Sequence, residues 1–308
     1  MTVAKGGEAV LSGVLRGGHA ITEGLLVTDW YRDFRSDRDQ SALPFVGMFT
    51  LDTEVEIVAD DIREQLDFES RVRPETPASQ FLRAFVRQTE ALGILVMRNG
   101  IVRQATNRPL SVEEFRGFSI ADPMAPVVFI NNVDSNSAQA FTLAHELAHI
   151  WVGRGGISDA DPTLRSDDSE DVEEFCNRVA GEVLLPWSSL YPQWRDRREE
   201  WPEWVRAVAR NFHVSTVMVA RQLWRHDEIE REQFFEFYEG EKQNWLGKGP
   251  SASGGNYYLS APIRNSRLLT HAVLESVGSS ETSIRDASRL LGVKPANLPK
   301  LEQSMGTE

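Results

Sequence analysis

The sequence predicts an α+β fold in which a small three-stranded sheet and two long helices lie between helical N-terminal and C-terminal regions. Three short apolar runs, at 94–97, 118–120 and 127–130, have the length and the branched or aromatic content of strands. Two longer segments follow, at 140–152 and 171–185, in which apolar residues recur at helical spacing without an internal proline. This succession of strands and helices predicts a mixed fold with one small sheet.

The region before the strands is predicted to be mostly helical. Residues 55–66 have helical composition, and residues 79–92 form an amphipathic pattern that ends at Gly93, a residue type that commonly terminates helices. The chain is accordingly divided into an N-terminal region, a core and a C-terminal region at 1–78, 79–195 and 196–308.

Two segments of the C-terminal region have the pattern of a helix-turn-helix. Residues 205–225 contain two helical stretches with a break near Val214, and Ser215 is placed to cap the second stretch. Residues 282–301 show a similar pattern. Ordinary helical hairpins have the same sequence features, so both interpretations stay open at this point.

The composition describes a water-soluble globular protein. Of its 308 residues 41% are hydrophobic, and no apolar run has the length of a membrane span. The N-terminus lacks the pattern of a signal peptide, and the single cysteine excludes an internal disulfide. We therefore expect a cytoplasmic protein. The net charge of −13 disfavours non-specific binding to nucleic acid, although it leaves a local basic patch open.

The first of the two long helices contains the sequence His145-Glu146-x-x-His149. Residues four apart lie on one face of a helix, so both histidines can point at the same metal ion. Glu146 directly follows the first histidine, where its carboxylate can reach a water molecule at the metal. The alternative is a pair of partly buried histidines beside a surface glutamate.

The second long helix supplies the candidates for a third ligand. It carries several residues with carboxylate or amide oxygens: Asp171, Glu173, Glu174, Asn177 and Glu182. Glu173 and Asn177 are four apart and share a face, which suits a metal ligand followed by a residue that orients a ligand imidazole. Cys176 could bind zinc as a thiolate, but its apolar surroundings favour a small buried side chain.

Three segments together resemble a known family. They are residues 115–122 (Phe-Arg-Gly-Phe-Ser-Ile-Ala-Asp), residues 141–149 (Phe-Thr-Leu-Ala-His-Glu-Leu-Ala-His) and residues 173–186 (Glu-Glu-Phe-Cys-Asn-Arg-Val-Ala-Gly-Glu-Val-Leu-Leu-Pro). These segments resemble the ImmA/IrrE family of zinc metallo-endopeptidases, and the resemblance covers roughly residues 85–195. One departure is Val179, where the family often has phenylalanine.

The resemblance implies a minimal zincin-like peptidase core and a set of functional residues. His145, His149 and Glu173 would bind Zn²⁺, and Glu146 would act as the general base. Asn177 remains a candidate for holding a ligand imidazole. Many members carry a helix-turn-helix domain before the peptidase, and the N-terminal region here shows no convincing one.

The resemblance also implies a biological role. Members of the family cleave helix-turn-helix repressors and so derepress stress, phage or mobile-element genes, which would make this chain a zinc-dependent endopeptidase in transcription regulation. Two other classes remain open: a DNA-binding regulator in which zinc has a structural or sensing role, and a toxin–antitoxin component.

Substrate contacts are expected from the strand at 117–122. If it lies at the edge of the sheet, Gly117, Phe118 and Ser119 can pair with an extended peptide as an added strand. Peptide hydrolysis also needs a hydrogen-bond donor for the tetrahedral oxyanion. The sequence does not choose among its candidates, which are Tyr191, His213, Tyr257 and Tyr258.

Overall fold

The computed structural model describes residues 4–74, 77–100, 116–155, 157–158, 167–194, 200–246 and 264–305. Helices dominate this part of the chain. Shorter helical turns are a π-helix at Phe68–Val72 and a 3₁₀ turn at Pro295–Asn297. The α-helices are α1 (Ala4–Ser36), α2 (Val55–Gln65), α3 (Ala78–Ala91), α4 (Asn136–Trp151), α5 (Asp167–Leu184), α6 (Trp187–Trp194), α7 (Trp201–Phe212), α8 (Thr216–Arg225), α9 (Arg231–Leu246), α10 (Arg267–Gly278), α11 (Ile284–Leu290) and α12 (Leu298–Met305).

A single mixed sheet lies in the middle of the fold. Its strands are β1 (Leu95–Asn99), β2 (Gly117–Ile120), β3 (Val127–Asn131) and the two-residue β4 (Ile157–Ser158), in the order β1-β3-β2-β4. β1 is parallel to β3, whereas β2 is antiparallel to both β3 and β4. The predicted α+β class and its three strands are confirmed, and β4 is an addition.

The central strand β3 shows that both faces of the sheet are covered. All five of its residues are buried. Val128 and Ile130 belong to the core shared with α2–α9, whereas Val127 and Phe129 belong to a second core formed with α1 and the C-terminal helices. A strand that is buried on both faces reads as a continuous apolar run, which is the pattern at 127–130.

The first face of the sheet is covered by α4, the most buried helix of the core. Twelve of its sixteen residues are buried, including the whole segment 142–151. Its last residue, Trp151, stacks on Phe45 with ring centroids 4.4 Å apart and donates its indole N–H to Asp61 at 2.7 Å. These contacts fix the C-terminal turn of the helix, where His149 lies.

The second face is covered by α1 and the three C-terminal helices. Leu269, Val273 and Leu301 are fully buried there. Glu90, at the end of α3, accepts hydrogen bonds from the Ser266 hydroxyl and from the backbone N–H of Arg267 at 2.8 Å, at the start of α10. Its carboxylate therefore caps a helix far away in sequence and ties the C-terminal helices to the core.

We expect Glu90→Ala to lower the free energy of unfolding by about 1–3 kcal/mol, because it leaves buried donors at the start of α10 without their acceptor. Glu90→Gln is the matched control, since its carbonyl oxygen keeps one acceptor at the same place. Urea denaturation of the two variants and the wild type measures the difference. If Glu90→Ala and Glu90→Gln lower the free energy of unfolding equally, the negative charge of Glu90, and not its acceptor oxygen, provides the stabilisation.

The helix-turn-helix pattern at 205–225 is present as α7 and α8. Ser215 caps α8 as predicted, because its hydroxyl accepts from the Met218 N–H at 3.1 Å. All ten residues of α8 are buried or partly buried, and Trp224 stacks on Phe234 of α9. A DNA-recognition helix needs an exposed face. The packing of α8 therefore favours the interpretation as a helical hairpin inside the core.

The second pattern, at 282–301, forms α11, the 3₁₀ turn and the first part of α12. The hydroxyl of Ser283 caps α11 by accepting from the Asp286 N–H at 3.1 Å.

No helix in the described part of the chain is both long and apolar enough to cross a membrane. The division of the chain at residues 78 and 195 remains a proposal.

Candidate metal centre

Helix α4 places the two histidines of the sequence motif side by side. Ser135 caps the start of this helix, because its hydroxyl accepts from the Ala138 N–H at 3.3 Å. In the last two turns of the helix, His145 and His149 lie on the same face with their Nε2 atoms 3.0 Å apart. The two residues are only 4% and 2% exposed, so their imidazoles converge inside the protein.

Helix α5 brings Glu173 to the same point. Its Oε2 atom is 3.3 Å from Nε2 of His145, and its Oε1 atom is 3.3 Å from Nε2 of His149. The guanidinium groups of Arg63 and Arg73 hold the far end of α5 by donating to the carbonyls of Val183 and Leu184, respectively. These bonds fix the helix that carries Glu173 against α2 and the end of the π-helix.

The other acidic candidates on α5 have different surroundings. Glu174 is exposed and pairs with Arg225 at 2.8 Å. Glu182 is buried and accepts from the Trp187 N–H at 2.9 Å and from Gln222 at 2.8 Å. Within the described ranges, His145, His149 and Glu173 are the one group of three such side chains whose donor atoms lie within 4.8 Å of one another.

The second nitrogen of His149 is held by the backbone. Gly153, with φ +66°, turns the chain after α4 and brings the Arg154 carbonyl to 2.9 Å from Nδ1 of His149. When Nδ1–H donates to this carbonyl, the lone pair of Nε2 is left for a metal. This contact was not predicted from the sequence, in which the glycine after the helix is its signal. Asn177 is partly buried one turn after Glu173, and its role stays a prediction.

The charges of the cluster favour a cation. Burial opposes ionisation of Glu173, but hydrogen bonds from both histidines hold its pKa well below the usual range. Burial also lowers the pKa of His149, but hydrogen bonds to Cys176 and Glu173 and the charge of Glu146 raise it to about 11. A metal needs the neutral imidazole, so metal binding would displace protons from this site.

Cys176 is a fully buried neighbour of the cluster. Its side chain contacts His149, and burial raises the pKa of its thiol. The thiol therefore stays protonated, and its sulfur is not among the converging donor atoms. This placement agrees with the interpretation of Cys176 as a small buried residue.

The prediction that β2 lies at the edge of the sheet is wrong. β4 pairs with Gly117 and Phe118 on the side away from β3, because the chain turns back along β2 after Gly153. A Cβ atom on Gly155 would lie 2.8 Å from the Ser119 carbonyl, which shows how closely this returning segment packs. Gly117, Phe118 and Ser119 are buried, and their role as substrate contacts stays a prediction.

Two of the four candidates for the oxyanion donor, His213 and Tyr191, lie in the described part of the chain. His213 lines a cavity of about 650 Å³ beside Ser137, at the start of α4. His145 lies two turns further along this helix, about 12 Å away at 1.5 Å per residue. Tyr191 packs on Trp187 with ring centroids 5.3 Å apart. Tyr257 and Tyr258 lie outside the described residues.

The donor set fits a zinc ion. Two imidazole nitrogens and one carboxylate are the ligands of many catalytic zinc sites, in which the fourth position is open to water or substrate. The separation of the two histidines by one helical turn, their burial and the partly buried Glu173 beside them support a site that can hold such a metal.

Comparison with known proteins agrees with this geometry. The family model Peptidase_M78, described as the IrrE N-terminal-like domain, matches residues 89–223, a range that includes the sheet, α4–α7 and most of α8. Residues 265–304 match a second family model, a domain of unknown function named DUF8813. A comparison with curated protein sequences gave no match. Residues 89–223 therefore form an IrrE N-terminal-like peptidase domain.

Proposed function

We propose that this chain is a zinc-dependent endopeptidase. The observation that carries the proposal is the convergence of His145, His149 and Glu173 on one point, with Glu146 on the same helix beside the first histidine. A purely structural metal site has no need for a neighbouring carboxylate that could act as a base. The peptidase family of the domain agrees with this chemistry.

The proposed reaction assigns one task to each residue. Zn²⁺, held by His145, His149 and Glu173, would polarise the scissile carbonyl and make a water molecule more acidic. Glu146 accepts the proton of this attacking water and then delivers it to the leaving amine. The Arg154 carbonyl keeps the His149 ring in the orientation and tautomer that binding requires.

We propose a regulatory protein as the substrate, and specifically a helix-turn-helix repressor in the cytoplasm. The family resemblance of the three segments supports this substrate, and the small size of the core favours selective cleavage over bulk degradation. Cleavage of a repressor would connect the protein to transcription regulation and to a stress response.

Direct binding to DNA is the second candidate function. The first helix-turn-helix pattern is a poor candidate for DNA binding, because all residues of α8 are buried or partly buried. The second pattern is a separate case, because Arg285, Arg289 and Lys294 are exposed on and after α11. A gel-shift titration over a range of salt concentrations tests this candidate, since binding through phosphate contacts weakens steeply as salt rises.

The function itself is tested with a whole proteome as substrate. The zinc-loaded protein is incubated with a lysate of its source organism, and the new protein N-termini are identified by mass spectrometry. We expect a few internal cuts that are absent when Glu146→Gln replaces the wild type. Trimming of terminal residues alone would contradict an endopeptidase, and identical termini in both samples would contradict the proposed function.

A further inference from the structure

We propose that Gly117 is a positioning residue for Glu146, and that its lack of a side chain sets the place of the general base. The inference rests on the proposed function for the role of Glu146. It assigns to Gly117 a task different from contact with substrate. The observation behind it is the close approach of α4 to β2 at this position.

The space around Gly117 has no room for a methyl group. A Cβ atom there would lie 2.6 Å from Cγ2 of Thr142 and 2.7 Å from the backbone oxygen of Phe129. It would also lie 3.3 Å from Oε1 of Glu146. The first two distances are far shorter than a normal contact between these atoms, so something must move when a side chain is added.

The neighbours of this Cβ atom are themselves held in place. Phe129 lies in β3, where every residue is buried, and its carbonyl belongs to the backbone of the sheet. Thr142 lies one turn before Glu146 on α4, and both are buried. A side chain at 117 therefore separates β2 from β3 or pushes α4 away from β2, and either movement changes the surroundings of Glu146.

Glu146 has no free space into which it can adjust. It is 0% exposed, and its charge acts on both His149 and Cys176. The β2 backbone at Gly117 forms one wall of the space that holds its carboxylate. A glycine at 117 allows this wall to lie close to α4, so the carboxylate is confined between the strand and the metal ligands.

The two possible roles of Gly117 differ in their kinetic consequence. A displaced general base slows the chemical step and lowers kcat, and a misplacement of 1 Å typically costs about 100-fold. The loss of a contact that binds substrate and transition state equally raises KM and leaves kcat unchanged. The kcat and KM of a variant therefore separate positioning from substrate contact.

The test compares Gly117→Ala with two matched glycine-to-alanine controls. Gly240→Ala adds the same methyl group in open space on α9, where no described atom beyond the neighbouring backbone of the helix itself lies within 4 Å. Gly24→Ala presses on the opposite face of β2, because its Cβ atom would lie 2.8 Å from Cζ of Phe118. The second control reports any loss of activity that comes only from disturbing the strand.

Three measurements are made on the zinc-loaded, full-length variants. Kinetics use a fluorogenic peptide built from the best-cut sequence of the proteome experiment, zinc is measured by emission spectroscopy, and crystal structures locate the Glu146 carboxylate. For Gly117→Ala we expect about 100-fold lower kcat with unchanged KM and zinc content, and a displaced carboxylate. Both controls should keep kcat within a few-fold of the wild type.

Adding Thr142→Ser to Gly117→Ala removes the 2.6 Å contact and should restore part of kcat. This double variant replaces the single variant if Gly117→Ala does not fold. An unmoved Glu146 carboxylate in the crystal structure overturns the proposal, and so does a rise in KM without a change in kcat. The structural readout does not depend on cleavage, so it decides the positioning role even if the proposed function fails.

Discussion

Glu146→Gln is expected to abolish peptide cleavage while the zinc content stays at the wild-type level. Glutamine has nearly the shape of glutamate and fits the fully buried space that Glu146 occupies. It cannot accept a proton from water at neutral pH, so the attacking water loses its base. General acid–base catalysis by a positioned group typically contributes about 10²–10⁴-fold, and we expect a loss of kcat of this size.

The matched control for this variant is Glu174→Gln. Glu174 lies next to the ligand Glu173 on α5, but it is exposed and pairs with Arg225 at the surface. An exposed ion pair contributes little, so this control should cleave at the wild-type rate. Zinc content is measured by emission spectroscopy and cleavage with the same fluorogenic peptide. Cleavage by Glu146→Gln at more than a tenth of the wild-type rate would refute the assignment of the base.

His145→Ala is expected to lose the metal itself. The site offers three protein donors, and the variant keeps only Nε2 of His149 and the carboxylate of Glu173. Within the described residues, no fourth side chain of this kind converges with these donor atoms, so the variant is left with two ligands. We expect less than a tenth of the wild-type zinc content after dialysis and no detectable cleavage.

Removal of the metal from the wild type gives an independent measure of the same site. A ligand that binds only the folded state stabilises it, by about 4 kcal/mol at a free concentration 1,000 times its Kd. A chelator should therefore lower the Tm of the wild type and leave that of His145→Ala unchanged. His271→Ala, which changes an exposed histidine on α10, is the matched control and should behave as the wild type. A full zinc content in His145→Ala would count against the proposed site.

Local features of the fold could be predicted from the sequence because they depend on neighbours along the chain. The strands at 94–97, 118–120 and 127–130 agree with β1, β2 and β3 to within one or two residues. The cap at Ser215 follows from the preference of a hydroxyl for the first turn of a helix. The meeting of His145 and His149 follows from 3.6 residues per turn.

The long-range features could not be predicted in this way. Spacing alone left five candidates for the third ligand, and the family resemblance singled out Glu173. The structure brings Glu173 to the histidines, whereas Glu182 contacts the backbone of Trp187. The prediction of an edge strand failed because the pairing of β2 with β4 depends on how the chain returns after Gly153. The burial of α8 likewise depends on helices elsewhere in the chain.

The sequence by itself therefore determined the α+β class, the helix that carries the two histidines and the identity of the candidate base. Only the tertiary structure decided whether the carboxylate of Glu173 reaches the histidines, which backbone carbonyl contacts His149 and how closely α4 approaches β2 at Gly117. The physical reason is the range of the interactions. Helical periodicity acts between residues four apart, whereas the packing of α4 against α5 and β2 joins segments that the sequence keeps apart.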